Sequence, residues 1–280
     1  MQETYYSVPG CPLSLALVSD LHERPFDAVL ASLERNRPDL ICVAGDFLYG
    51  RPSHMGLKVE EAGVLPLFSA CAAIAPCFVS LGNHEWMITD SDLALIREMG
   101  AVPLNNTFTV LKRKGARLVI GGLSSSRVNA YRQFLAAGYT PGEANRHTRS
   151  RFLHMPPPLD WLDAFCAERG YHLLLCHHPE YYPRYLRERQ IELVLSGHAH
   201  GGQIRLLGQG LFAPGQGLFP KLTSGVTDGR LVVSRGLANC QRVPRLFNPT
   251  ELVYVSESEL RSKKDQNFDK NALLMADMAV

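Results

Sequence analysis

The amino-acid sequence predicts a layered α/β fold with a strand-rich second half. Short apolar runs of strand length, rich in Val, Leu and Ile, alternate with segments of helical spacing as far as Gly202. Beyond that point, strand-like runs are separated by glycine- and proline-rich turns. Five runs carry the argument that follows: Leu13 to Val18, Leu40 to Ala44, Cys77 to Leu81, Leu173 to Cys176 and Ile191 to Leu195.

The helices are predicted from apolar residues spaced three and four positions apart. They span Phe26 to Arg37, Leu65 to Ala75, Asp90 to Met99 and Leu159 to Arg169, and residues 179–190 are expected to form a short helix or turn. Ser91 is the expected N-cap of the third helix, and Gly170 is the expected C-cap glycine of the fourth. Further strands are expected at Leu118 to Leu123, Ile204 to Leu207, Leu231 to Ser234 and Leu252 to Ser256.

The composition is that of an ordinary globular protein. With 280 residues, of which 46% are hydrophobic and 20% charged, the chain can bury a large core as one domain or two. The formal net charge of +2 is too small to favour nucleic acid or an anionic membrane as a partner. Seven cysteines (11, 42, 71, 77, 166, 176 and 240) show no CxxC spacing, which favours reduced thiols in a reducing compartment.

Neither a signal peptide nor a membrane span is predicted. The first ten residues lack a basic region, and a secretory signal would need one. The longest apolar stretch, Val64 to Leu81, is interrupted by Pro66 and Pro76, so it is better explained by a helix that leads into a buried strand. We therefore expect a cytoplasmic protein without a membrane anchor, ending in a flexible tail over residues 257–280.

Each of the five apolar runs is followed by side chains that can bind a metal ion. The clusters are Ser19-Asp20-Leu21-His22, Gly45-Asp46, Gly82-Asn83-His84-Glu85, Cys176-His177-His178 and Gly197-His198-Ala199-His200. In a mostly parallel sheet the carboxyl ends of the strands lie along one edge, which is where open α/β folds place their chemistry. Five such turns would converge there, and this convergence predicts a metal centre.

The donor types indicate what kind of metal centre this is. Carboxylates, an amide and imidazoles form mixed oxygen and nitrogen shells that suit Mn, Fe or Zn, with Mg also compatible, and the lack of thiolates argues against a structural zinc. Asp46 has two oxygens and can bridge two cations. Two ions about 3.5–4 Å apart form the usual clamp for in-line displacement at phosphorus and supply a bridging hydroxide at neutral pH.

Taken singly, each motif has an ordinary explanation. An Asp-x-His pair arises by chance, Gly-Asp is a common turn, and Gly-His-x-His can be two surface histidines. Their occurrence in order, each directly after a buried-strand pattern, is what favours the metal centre. The remaining histidines have no such context and are expected to be structural or at the surface: His54, His147, His154, His172 and His178.

The order of these motifs resembles the calcineurin-like metallophosphoesterase superfamily from Leu13 to about Val255. Later segments resemble a bacterial phosphodiesterase branch that includes proteins similar to UDP-2,3-diacylglucosamine hydrolases. These segments are residues 197–203, Val233-Ser234-Arg235-Gly236 and Arg245-Leu246-Phe247. The resemblance implies a four-layer α/β/β/α sandwich of two packed mixed sheets. It also implies a single domain over residues 1–256, with the di-metal site at the strand carboxyl ends.

The resemblance also implies a role for each residue of the site. Asp20, His22 and His200 would hold the first metal. Asn83, His177 and His198 would hold the second, and Asp46 would bridge the pair. His84 would face the leaving group as general acid or electrostatic stabiliser, so that His84, Asp46 and Asn83 form the catalytic set. Glu85 would orient its neighbours, and His178 is the alternative to His177 as the ligand.

Two segments could bind the substrate. Residues 124–158 form a long insert that carries five arginines (127, 132, 146, 149 and 151) between positions 127 and 151. They are either a cap that binds an anionic group or a solvated helix face. Residues 209–221 contain Leu211, Phe212, Leu218 and Phe219. This loop either admits an acyl chain and touches a membrane surface or is simply buried.

The sequence therefore predicts a di-metal phosphoester hydrolase that favours phosphodiesters or pyrophosphates over monoesters. A nucleotide-lipid such as UDP-2,3-diacylglucosamine is a candidate substrate, and manganese is the favoured metal. The alternatives are a nuclease or phosphoprotein phosphatase on the same scaffold, and a non-catalytic metal-binding interaction module. A nuclease needs a basic, aromatic-lined groove, which the near-neutral charge disfavours. No oligomeric state is predicted.

Overall fold

Two six-stranded sheets form the centre of the molecule. The computed structural model describes residues 1–51, 58–151, 155–239 and 243–257. The strands are β1 (Gln2–Ser7), β2 (Leu15–Val18), β3 (Leu40–Ala44), β4 (Cys77–Ser80), β5 (Val102–Pro103), β6 (Thr107–Arg113), β7 (Ala116–Leu123), β8 (Tyr171–Cys176), β9 (Leu193–Ser196), β10 (Arg205–Leu206), β11 (Gln209–Gly210), β12 (Phe212–Ala213), β13 (Gly217–Leu218), β14 (Gly225–Thr227), β15 (Leu231–Val233) and β16 (Glu251–Ser256).

Seven α-helices are found in the described part of the chain. They are α1 (Asp27–Asn36), α2 (Lys58–Glu61), α3 (Leu65–Ile74), α4 (Asp90–Glu98), α5 (Ser126–Ala136), α6 (Pro141–Arg151) and α7 (Leu162–Ala167). A π-helical turn covers Tyr182–Leu186, and a short 3-10 turn covers His200–Gly202. No helix among the described residues is both long enough and apolar enough to span a bilayer.

Both sheets are mixed, with a parallel centre. The first has the order β1-β16-β2-β3-β4-β5, in which β2 to β5 run parallel and β16 is antiparallel to β2. The second has the order β14-β15-β9-β8-β7-β6, in which β15, β9, β8 and β7 run parallel between two antiparallel edge strands. The predicted ligand-bearing strands therefore belong to two sheets, whereas the strand pattern alone predicted that they lie along the edge of one sheet.

The sheets pack face to face and carry helices on their outer faces. Because successive side chains of a strand point to opposite faces, Leu15 and Leu17 enter the core between the sheets, while Ala16 and Val18 meet the helices. The outer face of the first sheet packs against α1, α3 and α4, and that of the second packs against α7 and the π-helical turn. This arrangement confirms the four-layer α/β/β/α sandwich.

Local details differ from the sequence predictions in two helices. Thr89, not Ser91, caps α4: Thr89 is extended, its hydroxyl accepts from Asp92 N (3.2 Å), and its own N–H donates to the Asp92 carboxylate (2.8 Å). Helix α7 ends at Ala167, so Gly170 is not its cap. Gly170 has a φ of +142° and directly precedes β8, which pairs with β7. A Cβ on Gly170 would lie 2.7 Å from Arg117 O of β7.

Strand β1 was not predicted from the sequence. It pairs with β16, which lies near the other end of the described sequence, from Gln2 with Glu251 to Ser7 with Ser256. It is only partly buried, so no continuous apolar run marks it. The predicted tail beyond Glu257 lies outside the described residues, as do His54, His154 and Cys240.

Candidate metal centre

The loops that follow five strands meet at one edge of the sandwich. The first sheet contributes the loops after β2, β3 and β4, and the second contributes those after β8 and β9. Because the ligand-bearing strands are parallel within each sheet, their carboxyl ends share an edge. The structure brings together all the residues predicted for the site: Asp20, His22, Asp46, Asn83, His84, His177, His198 and His200.

The backbone at this edge is held in an unusual conformation. Five of the candidate ligands have left-handed φ angles between +46° and +66°: Asp20, His22, Asp46, His198 and His200. Non-glycine residues rarely adopt this conformation, which costs on the order of 1 kcal/mol or more per residue and is found preferentially at functional sites. The surrounding fold therefore holds these residues in a strained conformation that directs their side chains to one site, at a cost in stability.

Two glycines let the turns of the first sheet approach each other. Gly45 has a φ of +80°, and a Cβ placed on it would lie 2.5 Å from Gly82 N. A Cβ placed on Gly82 would overlap the carboxylate of Asp46 and lie 2.7 Å from Asp46 N. Only glycine fits at either position, which explains the Gly-Asp and Gly-Asn-His motifs in physical terms.

Two groups of buried metal-binding side chains lie next to each other at this edge of the sandwich. One consists of Asp20, His22 and His200, and the other of Asp46, His177 and His198, with the donor atoms of each group within 4.8 Å of one another. Asp46 lies between them, because its Oδ2 is 3.0 Å from His177 Nε2 and 3.9 Å from His22 Nε2. A carboxylate in this place is within reach of both groups.

Several buried polar atoms at the site lack a hydrogen-bond partner among the described residues. They are His22 Nε2, His177 Nε2 and Asn83 Oδ1. Unpaired buried polar atoms are rare in folded proteins, so a cluster of them calls for an explanation. Imidazole nitrogens and an amide oxygen beside two carboxylates are suitable ligands for divalent cations, and bound cations would satisfy them.

The opposite ring nitrogens of two histidines are fixed by the backbone. His22 Nδ1 lies 3.1 Å from Leu48 O, and His177 Nδ1 lies 2.8 Å from Ala44 O. A carbonyl can only accept a hydrogen bond, so each Nδ1 carries a proton and Nε2 is the nitrogen that can present a lone pair to a cation. This is how metal-ligating histidines are usually oriented.

Burial and neighbouring charges perturb the ionisable groups of the site. Burial lowers the pKa of His22 to about 3 and lowers that of His198 well below its ordinary value. Burial alone would also lower the pKa of His177, but the Asp46 carboxylate raises it to about 10. Burial alone would raise the pKa of Asp46, whereas the imidazole of His177 holds it well below its usual range. The neutral imidazoles of His22 and His198 can bind a cation directly, whereas a cation bound by His177 would replace the proton that this ring holds beside Asp46.

Glu85 ties the turns of the first sheet together. Its buried carboxylate accepts hydrogen bonds from the N–H groups of Asp46 (2.8 Å), Leu48 (2.9 Å) and Gly82 (2.7 Å). Burial and the nearby charge of Asp46 raise the pKa of Glu85 to about 8. The geometry agrees with the prediction that Glu85 orients its neighbours.

His84 lies at the open side of the site. Its ring is 23% exposed, and its Nε2 is 3.9 Å from Asp46 Oδ2. Its Nδ1 lies 2.7 Å from Tyr49 O, which fixes the ring and leaves Nε2 directed into the site. The backbone N–H of His84 donates to Asp46 Oδ1 (2.9 Å).

His178 turns away from the two donor groups. Its Nδ1 lies 3.1 Å from Glu180 Oε1 and its Nε2 lies 2.8 Å from Ser125 Oγ, so the protein occupies both ring nitrogens. The geometry therefore supports His177 over His178 as the ligand. Two other histidines also have structural environments: His147 stacks on Phe134, and His172 Nδ1 is 2.9 Å from Glu192.

Two residues of the site were missed by sequence reasoning. Asn248 is buried, and its Nδ2 donates to His200 O (2.7 Å) and Gln203 O (3.0 Å), which holds the loop after β9 in place. Glu180 lies beside both His178 and His198. Neither belongs to a motif, and only the position of Asn248 directly after Arg245-Leu246-Phe247 offered a signal.

The arginine-rich insert packs beside the site. Tyr131 of α5 and Ala144 of α6 form a small core with Trp86, which follows the Gly-Asn-His-Glu turn. Arg127 lies with its guanidinium 4.8 Å from the Trp86 ring centre, and its Nη1 donates to Asn83 O (3.3 Å). By contrast, Arg132 pairs with Asp90 at 3.0 Å. One of the five arginines is therefore placed at the edge of the candidate centre.

The segment after the 3-10 turn is anchored on the loop after β9. Leu211 N donates to Gly202 O (3.2 Å), and Ile204 forms an isolated bridge with Leu246. Large apolar side chains of this region point into solvent, with exposed fractions of 68% or more: Leu207, Leu218, Phe219 and Phe247. Within the loop of residues 209–221, the alternative of a plainly buried loop is therefore wrong for Leu218 and Phe219.

A model of the calcineurin-like phosphoesterase family matches residues 13–202. The uncharacterized protein YpbG of Bacillus subtilis is 25% identical over 205 residues, which cover 72% of this chain and 66% of YpbG. The UDP-2,3-diacylglucosamine pyrophosphatase LpxG of Chlamydia muridarum is 28% identical over 302 residues, covering 86% of this chain and 82% of LpxG. Phosphodiesterase YaeI of Escherichia coli is 25% identical over 214 residues, covering 72% and 66%. The matches to YpbG and YaeI thus span just under two thirds of those relatives.

Proposed function

The chain belongs to the calcineurin-like phosphoesterase family, and on this premise we propose that it is a di-metal phosphodiesterase or pyrophosphatase. The family makes it a phosphoester hydrolase with a metal-binding site. The observation that carries the finer proposal is the pair of buried donor groups joined by Asp46.

In this proposal each donor group holds one cation. Asp20, His22 and His200 would hold the first, and Asn83, His177 and His198 would hold the second. Asp46 would contribute to both sites. The mixed oxygen and nitrogen donors favour manganese, and iron, zinc or magnesium would also suit them. When bound, two such cations activate a water molecule as nucleophile and stabilise charge at phosphorus.

His84 has the place of a general acid or electrostatic stabiliser. It lies at the open side, its ring is fixed by Tyr49 O, and its Nε2 faces the site. A leaving group that enters from solvent would meet this nitrogen first, and His84 would donate a proton to it or stabilise its charge. Asp46 and Asn83 complete the catalytic set.

For the substrate we propose a lipid-linked phosphoester, with a nucleotide-lipid pyrophosphate as the leading candidate. The support is the named activity of LpxG, the exposed apolar side chains of residues 207–219 and Phe247, and Arg127 at the edge of the site. The guanidinium suits a phosphate, and the apolar side chains suit acyl chains or peripheral contact with a membrane. In this scheme residues 1–256 are one domain, and residues 124–158 form its cap.

A cytoplasmic location stays a prediction. It is supported by cysteines 11, 42, 71, 77, 166 and 176, which are all free thiols in the described part of the chain. Such thiols are typical of proteins in reducing compartments.

The proposal is tested with metal-stripped protein to which Mn²⁺ is added back. The substrates are aryl phosphate mono- and diesters, UDP-2,3-diacylglucosamine, single-stranded DNA and a phosphopeptide, each assayed with wild type and Asp46→Asn. We expect metal-dependent cleavage of the diester and of the nucleotide-lipid, and no cleavage by the variant. Faster cleavage of DNA or the phosphopeptide would replace the proposed substrate class, and full activity in a folded Asp46→Asn would contradict the bridging role.

A further inference from the structure

A second cluster of buried side chains adjoins the metal centre, and two of its three members take no part in the scheme above. It consists of His178, Glu180 and His198, whose donor atoms lie within 4.8 Å of one another. Glu180 is 6% exposed and His178 is 2% exposed. A buried carboxylate is costly unless it is well paired, so its presence calls for an explanation.

The hydrogen bonds of this cluster form a chain with a definite direction. A carboxylate oxygen can only accept, so His178 Nδ1 carries the proton and donates it to Glu180 Oε1 at 3.1 Å. Nε2 of the neutral ring is then the acceptor, and Ser125 Oγ, which itself accepts from Arg127 N (3.3 Å), donates to it at 2.8 Å. The Glu180 carboxylate is thus the final acceptor of a chain that begins at the first turn of α5.

Glu180 has capacity for one more donor. Its Oε2 is buried and has no hydrogen-bond partner among the described residues, and the same is true of His198 Nε2. His198 Nε2 lies 3.8 Å from Glu180 Oε1, which is longer than a hydrogen bond of about 2.7–3.2 Å. Glu180 Oε1 already accepts from His178, so Oε2 is the carboxylate oxygen still available to His198 Nε2.

Gly215 closes this pocket from the outside. It has a φ of +73°, and a Cβ placed on it would overlap the Glu180 carboxylate. The segment that carries the exposed apolar side chains therefore packs directly on Glu180. Exclusion of water strengthens a charge-assisted hydrogen bond at this place.

We propose that Glu180 is a positioning residue for the metal ligand His198. Its carboxylate accepts the His198 Nε2–H, which leaves Nδ1 unprotonated and fixes it toward the second cation. The inference rests on the proposed function, because it assigns His198 to a metal. Carboxylates that hold a ligating imidazole in this way commonly raise metal affinity about 10- to 100-fold.

The test measures metal affinity, not turnover. Glu180→Gln is compared with wild type by equilibrium dialysis against Mn²⁺ and metal analysis, after the unfolding temperature in EDTA has shown that the variant folds. The amide can accept from one imidazole but not from both. We expect the second ion to bind 10- to 100-fold more weakly while the first binds as in wild type. The matched control is Glu192→Gln, which removes the same kind of bond from His172 and should leave both affinities unchanged.

The outcomes separate this inference from the function on which it rests. Wild type with two ions and Glu180→Gln with unchanged affinities would overturn the role of Glu180 alone. Wild type with three ions and Glu180→Gln with two would make Glu180 a ligand and overturn the inference as well. Wild type that binds no ion would contradict the metal centre itself.

A measurement on wild type alone keeps the inference testable if Glu180→Gln fails to fold. In protein labelled with ¹⁵N and loaded with ¹¹³Cd²⁺, the coupling between cadmium and the His198 ring identifies the ligating nitrogen. Coupling through Nδ1, with a protonated Nε2, is expected. Coupling through Nε2 would overturn the inference, because that nitrogen could then not donate to Glu180.

Discussion

Asn248 offers a sharp test of how the loop after β9 is held. Its side chain is 3% exposed, and its amide donates to the carbonyls of His200 and Gln203 at 2.7 and 3.0 Å. Gly201 lies against the same amide so closely that a Cβ there would overlap it. In Asn248→Ala the carbonyl of Gln203 loses this donor, and that of His200 keeps only the hydrogen bond from Gln203 N (3.1 Å).

The expected cost follows from these two bonds. A buried polar group left without its partner costs about 1–3 kcal/mol, and a water molecule entering the vacated space recovers part of it. Because only one carbonyl is left unpaired, we expect Asn248→Ala to lower the free energy of unfolding by about 1–3 kcal/mol. Because His200 is a proposed ligand of the first cation, the affinity of the Asn248→Ala protein for that cation should also fall.

The assay is urea unfolding in EDTA, so that bound metal does not contribute to stability. Asn36→Ala is the matched control, because Asn36 also donates two hydrogen bonds, to Ser32 O and Glu3, but is only half-buried. The control should lose less than about 1 kcal/mol. An Asn248→Ala protein as stable as wild type would refute the reasoning.

Three further changes have definite expected results. Gly82→Ala places a Cβ against Asp46 and should cost about 1–3 kcal/mol of unfolding free energy and weaken metal binding. Gly142→Ala in α6 adds a Cβ that would contact only Arg146 Nη1, at 4.0 Å, and should be neutral or stabilising in the same urea assay. His84→Ala should reduce turnover most for diesters with poor leaving groups while metal content stays at the wild-type level, and lost metal would instead make His84 a ligand. Partial burial alone would raise the pKa of Asp39, but bonds from Lys114 and Ser14 hold it below its ordinary value. Asp39→Asn should therefore lower the free energy of unfolding at pH 7, and this effect should disappear as the pH falls through the pKa of Asp39 in the folded protein. A loss of stability that persists at pH 2 would refute this prediction.

The sequence was sufficient to locate the candidate site because each candidate ligand lies in the loop directly after a strand. Asp20, Asp46 and Asn83 follow buried runs of the first sheet, and His177 and His198 follow runs of the second. Two sheets with aligned carboxyl ends give the same local pattern as one. For that reason the pattern found the residues but could not divide the strands between sheets.

Features that depend on distant pairing could not be predicted from the sequence. Strand β1 is recognisable only through its pairing with β16, and Asn248 acts on a loop that lies 45 or more positions earlier. Glu180 lies close to His177 in sequence, but its contacts with His198 and Gly215 arise from tertiary packing. The N-cap of α4 was predicted at Ser91 instead of Thr89 because both residue types are good N-caps. The extended backbone of Thr89, which identifies it as the cap, is known only from the structure.

The measurement that tests the central claim most directly is the number of tightly bound divalent ions per chain. Metal-stripped wild type and Asp46→Asn are dialysed against Mn²⁺ and analysed for metal, with the folded fraction checked by circular dichroism. Two buried donor groups that share Asp46 predict two ions in wild type. They predict at most one in the variant, together with loss of diester cleavage. A single ion in wild type, or two ions held by Asp46→Asn with wild-type affinity, would contradict the bridged di-metal centre.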